Sequence, residues 1–151
     1  MPSCTFFGHR DCPDGLKYRL RAVIIDLITN HGVDMFYVGR QGSFDGLVRG
    51  VLLEIAQEYP QVNYAVVLAY MPAEGSTPGD DSNTMLPEGI ELVHPRYAIA
   101  WRNNWMLQQS DFVVAYGAHS WGGAAQYVQK ATRAGKTVIN LYHSHEGGHA
   151  Q

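Results

Sequence analysis

The chain has 151 residues, of which 46% are apolar, and its 11 Lys and Arg against 14 Asp and Glu leave a formal charge of −3. That length suits one domain with a single packed core and is short for two. The apolar share sets the chain apart from disordered proteins, and the missing basic excess argues against a protein that grips duplex nucleic acid.

Eight of the eleven cations are Arg, whose rigid fork of donors suits phosphate or carboxylate recognition. Two cysteines, Cys4 and Cys12, make no disulfide framework, which points to a cytoplasmic protein. No apolar run reaches the length of a membrane span, and the N-terminus lacks the charged and apolar regions of a secretion signal, so neither is expected.

Short apolar runs alternate with helical periods along the chain. Residues 4–8 read as a first strand ended by Gly8. Leu16, Leu20, Val23, Ile24, Leu27 and Ile28 then form an amphipathic helical period, opened near Pro13-Asp14 and closed at His31-Gly32. Met35–Gly39 is a second strand, and Leu47, Val48, Val51, Leu52 and Ile55 mark a helix that stops before Pro60. Asn63–Tyr70 is a third strand. The stretch 71–95, with four prolines and Asp80-Asp81, reads as an irregular lid or loop. A helix from Tyr97 to about Ser110, a strand Phe112–Tyr116, a helix Gly122–Ala134 and a strand Thr137–Tyr142 complete the pattern. Residues 3–142 are expected to form one α/β domain, a three-layer open parallel sheet of about five strands with helices on both faces. Residues 143–151 form a His- and Gly-containing tail without core-forming residues.

Ligands of such sheets bind beyond the carboxyl ends of the strands, where the strand order reverses. After the first strand comes Gly8-His9-Arg10, and after the second comes Gly39-Arg40-Gln41-Gly42-Ser43-Phe44-Asp45, which leads into a helix. After the fourth comes a turn with His119-Ser120-Trp121-Gly122-Gly123, again ahead of a helix. Glycine turns that open helices present backbone N–H groups and a positive dipole end to an anion. With Arg10, Arg40, Arg96 and Arg102 nearby, they predict a phosphate-bearing ligand rather than plain turns. Neither helix-opening turn has the spacing of a P-loop or a dinucleotide fingerprint, so an ATPase or a conventional oxidoreductase is disfavoured.

Gly8-His9-Arg10, the Gly39 to Gly42 turn, Arg102-Asn-Asn-Trp-Met106 with Ser110-Asp111, and Gly122-Gly123 together resemble the SLOG superfamily. This group of small Rossmann-like proteins includes Lonely Guy enzymes and YpsA-like proteins, with small relatives in Gram-positive bacteria and their phages. Lonely Guy enzymes hydrolyse the N-glycosidic bond of nucleoside monophosphates, using an Arg in R-K-x-x-M and a Glu that ends P-G-G-x-G-T-x-x-E. Arg102 and Met106 match the first motif. In the second, Gly122-Gly123 match the glycine pair, whereas Trp121 replaces Pro, Ala125 replaces Gly, Gln126 replaces Thr and Gln129 falls at the Glu position. Gln can hydrogen-bond a ribose hydroxyl but cannot become an anion or accept a proton at neutral pH.

The resemblance therefore implies a binding protein for a nucleotide-derived, phosphate-bearing ligand. The candidates are an ADP-ribose-like or cyclic ADP-ribose-like signal or a nucleoside monophosphate, sensed or sequestered in phage–host conflict and antiphage defence. The alternative is a nucleoside-monophosphate phosphoribohydrolase, with Arg102 and a substitute acid such as Asp45 or Glu88; Asp11 and Glu91 beside His94 are further acids. A third reading is an interaction protein with a vestigial pocket. Trp121 beside the glycines is the candidate for ring stacking. Trp101, Trp105 and Met106 give the third helix an apolar weight that predicts a homodimer or higher homo-oligomer. No cofactor is expected. His143, His145 and His149 have chelating spacing, but a Gly-rich tail is a poor preformed site and no metal is expected.

Overall fold

A computed structural model of the chain describes residues 2–8, 12–13, 15–40, 42–71, 83–117 and 123–142. Among these, the strands are β1 (Ser3–Gly8), β2 (Met35–Val38), β3 (Asn63–Val67), β4 (Thr84–Met85), β5 (Phe112–Tyr116) and β6 (Thr137–Asn140). The helices are α1 (Leu16–His31), α2 (Gly42–Glu58), α3 (Ala98–Gln109) and α4 (Gly123–Arg133). The strands form one sheet in the order β4-β3-β2-β1-β5-β6, and every pairing is parallel. The chain winds from β1 toward β4 on one side and returns to place β5 on the other side of β1. The strand order therefore reverses between β1 and β5, which makes their carboxyl ends the crevice of the fold.

Alternation along the strands sorts the core into two layers. Cys4 and Phe6 of β1, with Phe36, Val38 and Val114, face Leu20, Ile24 and Leu27 of α1 and Val48, Leu52 and Ile55 of α2. Phe7, Ala65, Val67 and Val113 face the opposite way, onto Met106 and Leu107 of α3 and Tyr127 and Ala131 of α4. α1 ends where its periodicity stops: Gly32 takes the left-handed conformation at φ 70°, and its N–H donates to the Leu27 carbonyl.

Three segments differ from the sequence-based expectation. α2 begins at Gly42, within the glycine turn, so that turn is already helix. β3 ends at Val67, and residues 83–95 of the expected loop carry regular structure. Thr84–Met85 adds a sixth strand, and two 3₁₀ turns follow at Ile90–Leu92 and Pro95–Tyr97. β4 satisfies backbone donors of β3, with Val66 N–H bonding Asn83 O and Leu68 N–H bonding Met85 O, each at 2.9 Å or less. So short a pairing leaves no apolar run to read. β6 stops at Asn140, although Leu141 remains buried and its N–H still bonds Ala115 O at 2.7 Å. The 143–151 tail lies outside the described residues. No helix among them is long and apolar enough to cross a membrane.

Gly8 marks the closest approach in the crevice: a Cβ there would stand 2.3 Å from the ring of Phe44, itself fully buried on α2. We expect Gly8→Ala to cost about 1–3 kcal/mol, the usual penalty of an overpacked core, and to lower Tm by several degrees. Phe44→Leu should recover part of that loss in a double-mutant cycle read by thermal unfolding. The two cysteines give a second check. Burial pushes the Cys4 thiol far up, whereas Cys12 is half-buried in the turn before α1. An aromatic disulfide reagent should titrate one thiol in the native protein and two after denaturation.

Candidate functional site

A cavity of about 260 Å³ opens at the carboxyl end of β1, on the α3 and α4 face. β1 contributes Phe6, Phe7 and Gly8, α2 contributes Asp45, α3 contributes Ile99, Arg102, Asn103 and Met106, and α4 contributes Gly123, Ala124 and Tyr127. Phe7 and Tyr127 stack, with centroids 4.8 Å apart and planes 15° from parallel, and form an aromatic wall. Gly123 is the first residue of α4, so the positive end of that helix faces the cavity.

Arg102 is the unusual residue, a charged side chain only 1% exposed. Helical phase carries it inward beside Met106, one turn on. Its Nη1 donates to the Val67 carbonyl at 2.7 Å, just beyond the last paired residues of β2 and β3, and its Nε donates to Asn103 Oδ1 at 2.8 Å. Burial pushes the guanidinium pKa down from its ordinary value, and the Asp45 carboxylate pushes it back up. The group remains a cation at any physiological pH.

Gly39 explains how the two charges fit together. A Cβ at this position would lie 2.8 Å from Asp45 Oδ2 and 3.1 Å from both Cζ and Nη1 of Arg102. The carboxylate and guanidinium thus occupy the space that a side chain at 39 would need. Gly39 is buried and directly follows β2, so the second glycine turn makes room for the pair.

Of the residues named from sequence, Gly8, Asp45, Arg102 and Gly123 line the cavity and Gly39 packs under the charged pair. Gly42 starts α2 with φ 83°, a backbone that favours glycine, but it and Ser43 are exposed and do not line the cavity. Arg40 is exposed, and Arg96 is exposed with its guanidinium 5.9 Å from the Tyr97 ring centre; neither lines the cavity. His9, Arg10, Asp11, His119, Ser120, Trp121 and Gly122 lie outside the described residues.

Gln126 and Gln129 are exposed and outside the lining, because α4 turns Ala124, Tyr127 and Ala131 inward. The structure does not bring Gln129 to the place that the motif alignment implied. Glu88 and Glu91 line a separate apolar cavity, where Glu91 accepts from the Gly89 N–H at 3.1 Å. His94 Nδ1 likewise caps its own turn by accepting from the Arg96 N–H at 3.0 Å.

The third helix uses its aromatic residues within the chain. Trp105 meets Tyr37 edge to face at 5.4 Å, Trp101 packs beside Ile90 and Ala98, and Met106 is fully buried. These contacts leave Trp101 and Trp105 half-buried. Sequence reasoning missed Phe7, Ile99, Asn103 and Tyr127 as lining residues. The inward period of Ala124, Tyr127 and Ala131 was a signal that could have found Tyr127, and would have placed Gln129 on the outer side.

No protein-family model and no curated protein matches the sequence. Solved structures do. DNA processing protein A from Streptococcus pneumoniae aligns with a TM-score of 0.70 at 15% identity, over 96% of this chain and 52% of that one. The molybdenum cofactor carrier protein from Chlamydomonas reinhardtii aligns with a TM-score of 0.59 at 16% identity, over 93% of this chain and 76% of that one. The chain spans about half the length of the first of these proteins. The likeness supports a Rossmann-like α/β fold.

Removing the Arg102 fork would leave the Val67 carbonyl and Asp45 without their cation. Arg102→Met should therefore cost about 3 kcal/mol, as breaking buried charge pairs does, and lower Tm by roughly 10 °C. Gly39→Ala should act on the same pair with smaller loss, since the inserted methyl must displace Asp45 or the guanidinium. Thermal unfolding of both variants checks the order.

Proposed function

We propose that the protein binds a nucleotide-derived, phosphate-bearing ligand over Arg102, of the ADP-ribose or nucleoside-monophosphate class. The observation that carries this reading is a buried guanidinium lining a cavity at the reversal of strand order, with the first residue of α4 at the same cavity. Burial deprives Arg102 of water, and an incoming phosphate would supply negative charge where electrostatic interactions are strongest. The N-terminus of α4 would add backbone donors and its dipole to the same group. Asp45 can accept from ribose hydroxyls, and the Phe7–Tyr127 wall gives the sugar an apolar side to rest on. Binding without cleavage suits the sensing or sequestering of a nucleotide signal, the role that the SLOG resemblance implies in phage–host conflict.

A second reading is favoured by one observation, that Asp45 shares the cavity with Arg102. In a phosphoribohydrolase, Asp45 would take a proton from water as that water bonds to C1′. The C1′–N bond would break, and the base would leave with a proton from solvent.

The two readings separate in one experiment. AMP and ADP-ribose should raise Tm well above the effect of adenosine, since a ligand at a hundred times its Kd stabilises by about 2.7 kcal/mol. Arg102→Lys keeps the charge but loses the fork, and should weaken binding roughly tenfold. Equal shifts with adenosine and AMP would remove the phosphate reading. Release of many equivalents of free base from AMP, abolished in Asp45→Asn, would install the hydrolase instead.

A further inference from the structure

The carboxyl edge of the sheet carries a second cleft, on the α1 side. It has a volume of about 350 Å³ and is lined by Pro13, Gly15, Leu16 and Arg19 around the start of α1 and by Tyr116 and Tyr142 at the ends of β5 and β6. The two tyrosine rings meet edge to face, with centroids 5.8 Å apart and planes at 72°. Tyr116 also stacks on Phe44, at 6.3 Å and 24°, which fixes it to the core. Tyr142 is 37% exposed and presents ring surface to the cleft. Arg19 donates to the Leu141 carbonyl, which holds its guanidinium beside the rings while the fork has further N–H groups to offer.

One register pair links this cleft to the Arg102 cavity. Gly8 lines the first cavity, Tyr116 lines the second, and the two residues are partners in the β1–β5 register. Neighbouring strands lie about 4.8 Å apart, so a ligand need cross only one strand spacing to reach both. The space that a side chain at Gly8 would need is filled by Phe44, which also packs against Tyr116 and so supports both sides of this register pair. At about 350 Å³ the second cleft has the volume of a small-molecule site, roughly 300–1,000 Å³, whereas the Arg102 cavity at about 260 Å³ suits only part of a larger ligand.

We propose that the Tyr116–Tyr142 cleft is the second subsite of one ligand that straddles the sheet edge. It takes a planar nitrogenous ring of the purine class, while the anionic part of the same molecule sits over Arg102. The inference rests on the phosphate-bearing ligand proposed above, and adds where the ring lies and which residues hold it. A flat ring can stack on Tyr142, and its acceptor nitrogens can meet the Arg19 fork.

The test uses the full chain with ¹³C-labelled tyrosine and three probes: ADP-ribose, ribose 5-phosphate and adenosine. ADP-ribose should shift the ring resonances of Tyr116 and Tyr142, and ribose 5-phosphate should leave them in place. Tyr142→Ala should weaken ADP-ribose about tenfold, within the usual range of a lost aromatic–base stack, without changing ribose 5-phosphate affinity. Tyr142→Phe keeps the ring and should retain binding. If ribose 5-phosphate binds in an Arg102-dependent way but Tyr142→Ala leaves ADP-ribose unchanged, the cleft proposal falls and the anion site stands. If neither phosphorylated probe binds, the anion site falls and takes the straddling ligand with it, even where adenosine alone moves the tyrosines.

Discussion

The guanidinium of Arg102, held in an interior where charge is costly, is the constraint around which the crevice is arranged. An unpaired cation at 1% exposure would be untenable, so each neighbouring element supplies something to it. β3 offers the Val67 carbonyl, α3 offers Asn103, and α2 brings Asp45 to its side. Three segments distant in sequence are thereby tied at one point. The tie explains why β2 is followed by a buried glycine: any larger residue at 39 would occupy the place of the charged pair. For the anion proposed above, a residue fixed by the fold in this way would not have to be positioned when the ligand arrives.

The fold around that point was largely legible in the sequence. Apolar runs located five strands, and the spacing of Leu16, Leu20, Ile24, Leu27 and Ile28 located α1, because burial on one face imposes a period that composition reveals. β4 was not legible, since two residues such as Thr84 and Met85 carry no period; the strand exists because β3 has donors to satisfy there. Of the site, Arg102 and Asp45 were found by motif and by position after a glycine turn. Their mutual approach at Gly39 was not, because contacts between elements follow from packing rather than from spacing along the chain. Gln129 shows the converse. A motif alignment counts residues, whereas helical phase decides direction, and the phase set by Ala124, Tyr127 and Ala131 turns Gln129 to solvent.

The two faces of the sheet play different parts at its carboxyl edge. On the α3 and α4 side the crevice is lined by Arg102 and Asp45; on the α1 side it is lined by Tyr116 and Tyr142. Phe44 lies between them, under Gly8 and against Tyr116, so one buried ring supports both. A single substitution in that ring would disturb the charged and aromatic halves together.

The central place of β1 also bears on how the chain assembles during synthesis. β2 can pair with β1 early, but the other neighbour of β1 is β5, and the Ser3 N–H finds its acceptor in Asp111, 108 residues later. Until β5 emerges, one edge of β1 stays open and the crevice has a single wall. Such long-range closure is slow compared with the local pairing of β1, β2 and β3. Between the synthesis of β3 and that of β5 the nascent protein therefore holds a half-built sheet with an open edge, and β5, α4 and β6 together convert it into a closed core with a second wall to the crevice.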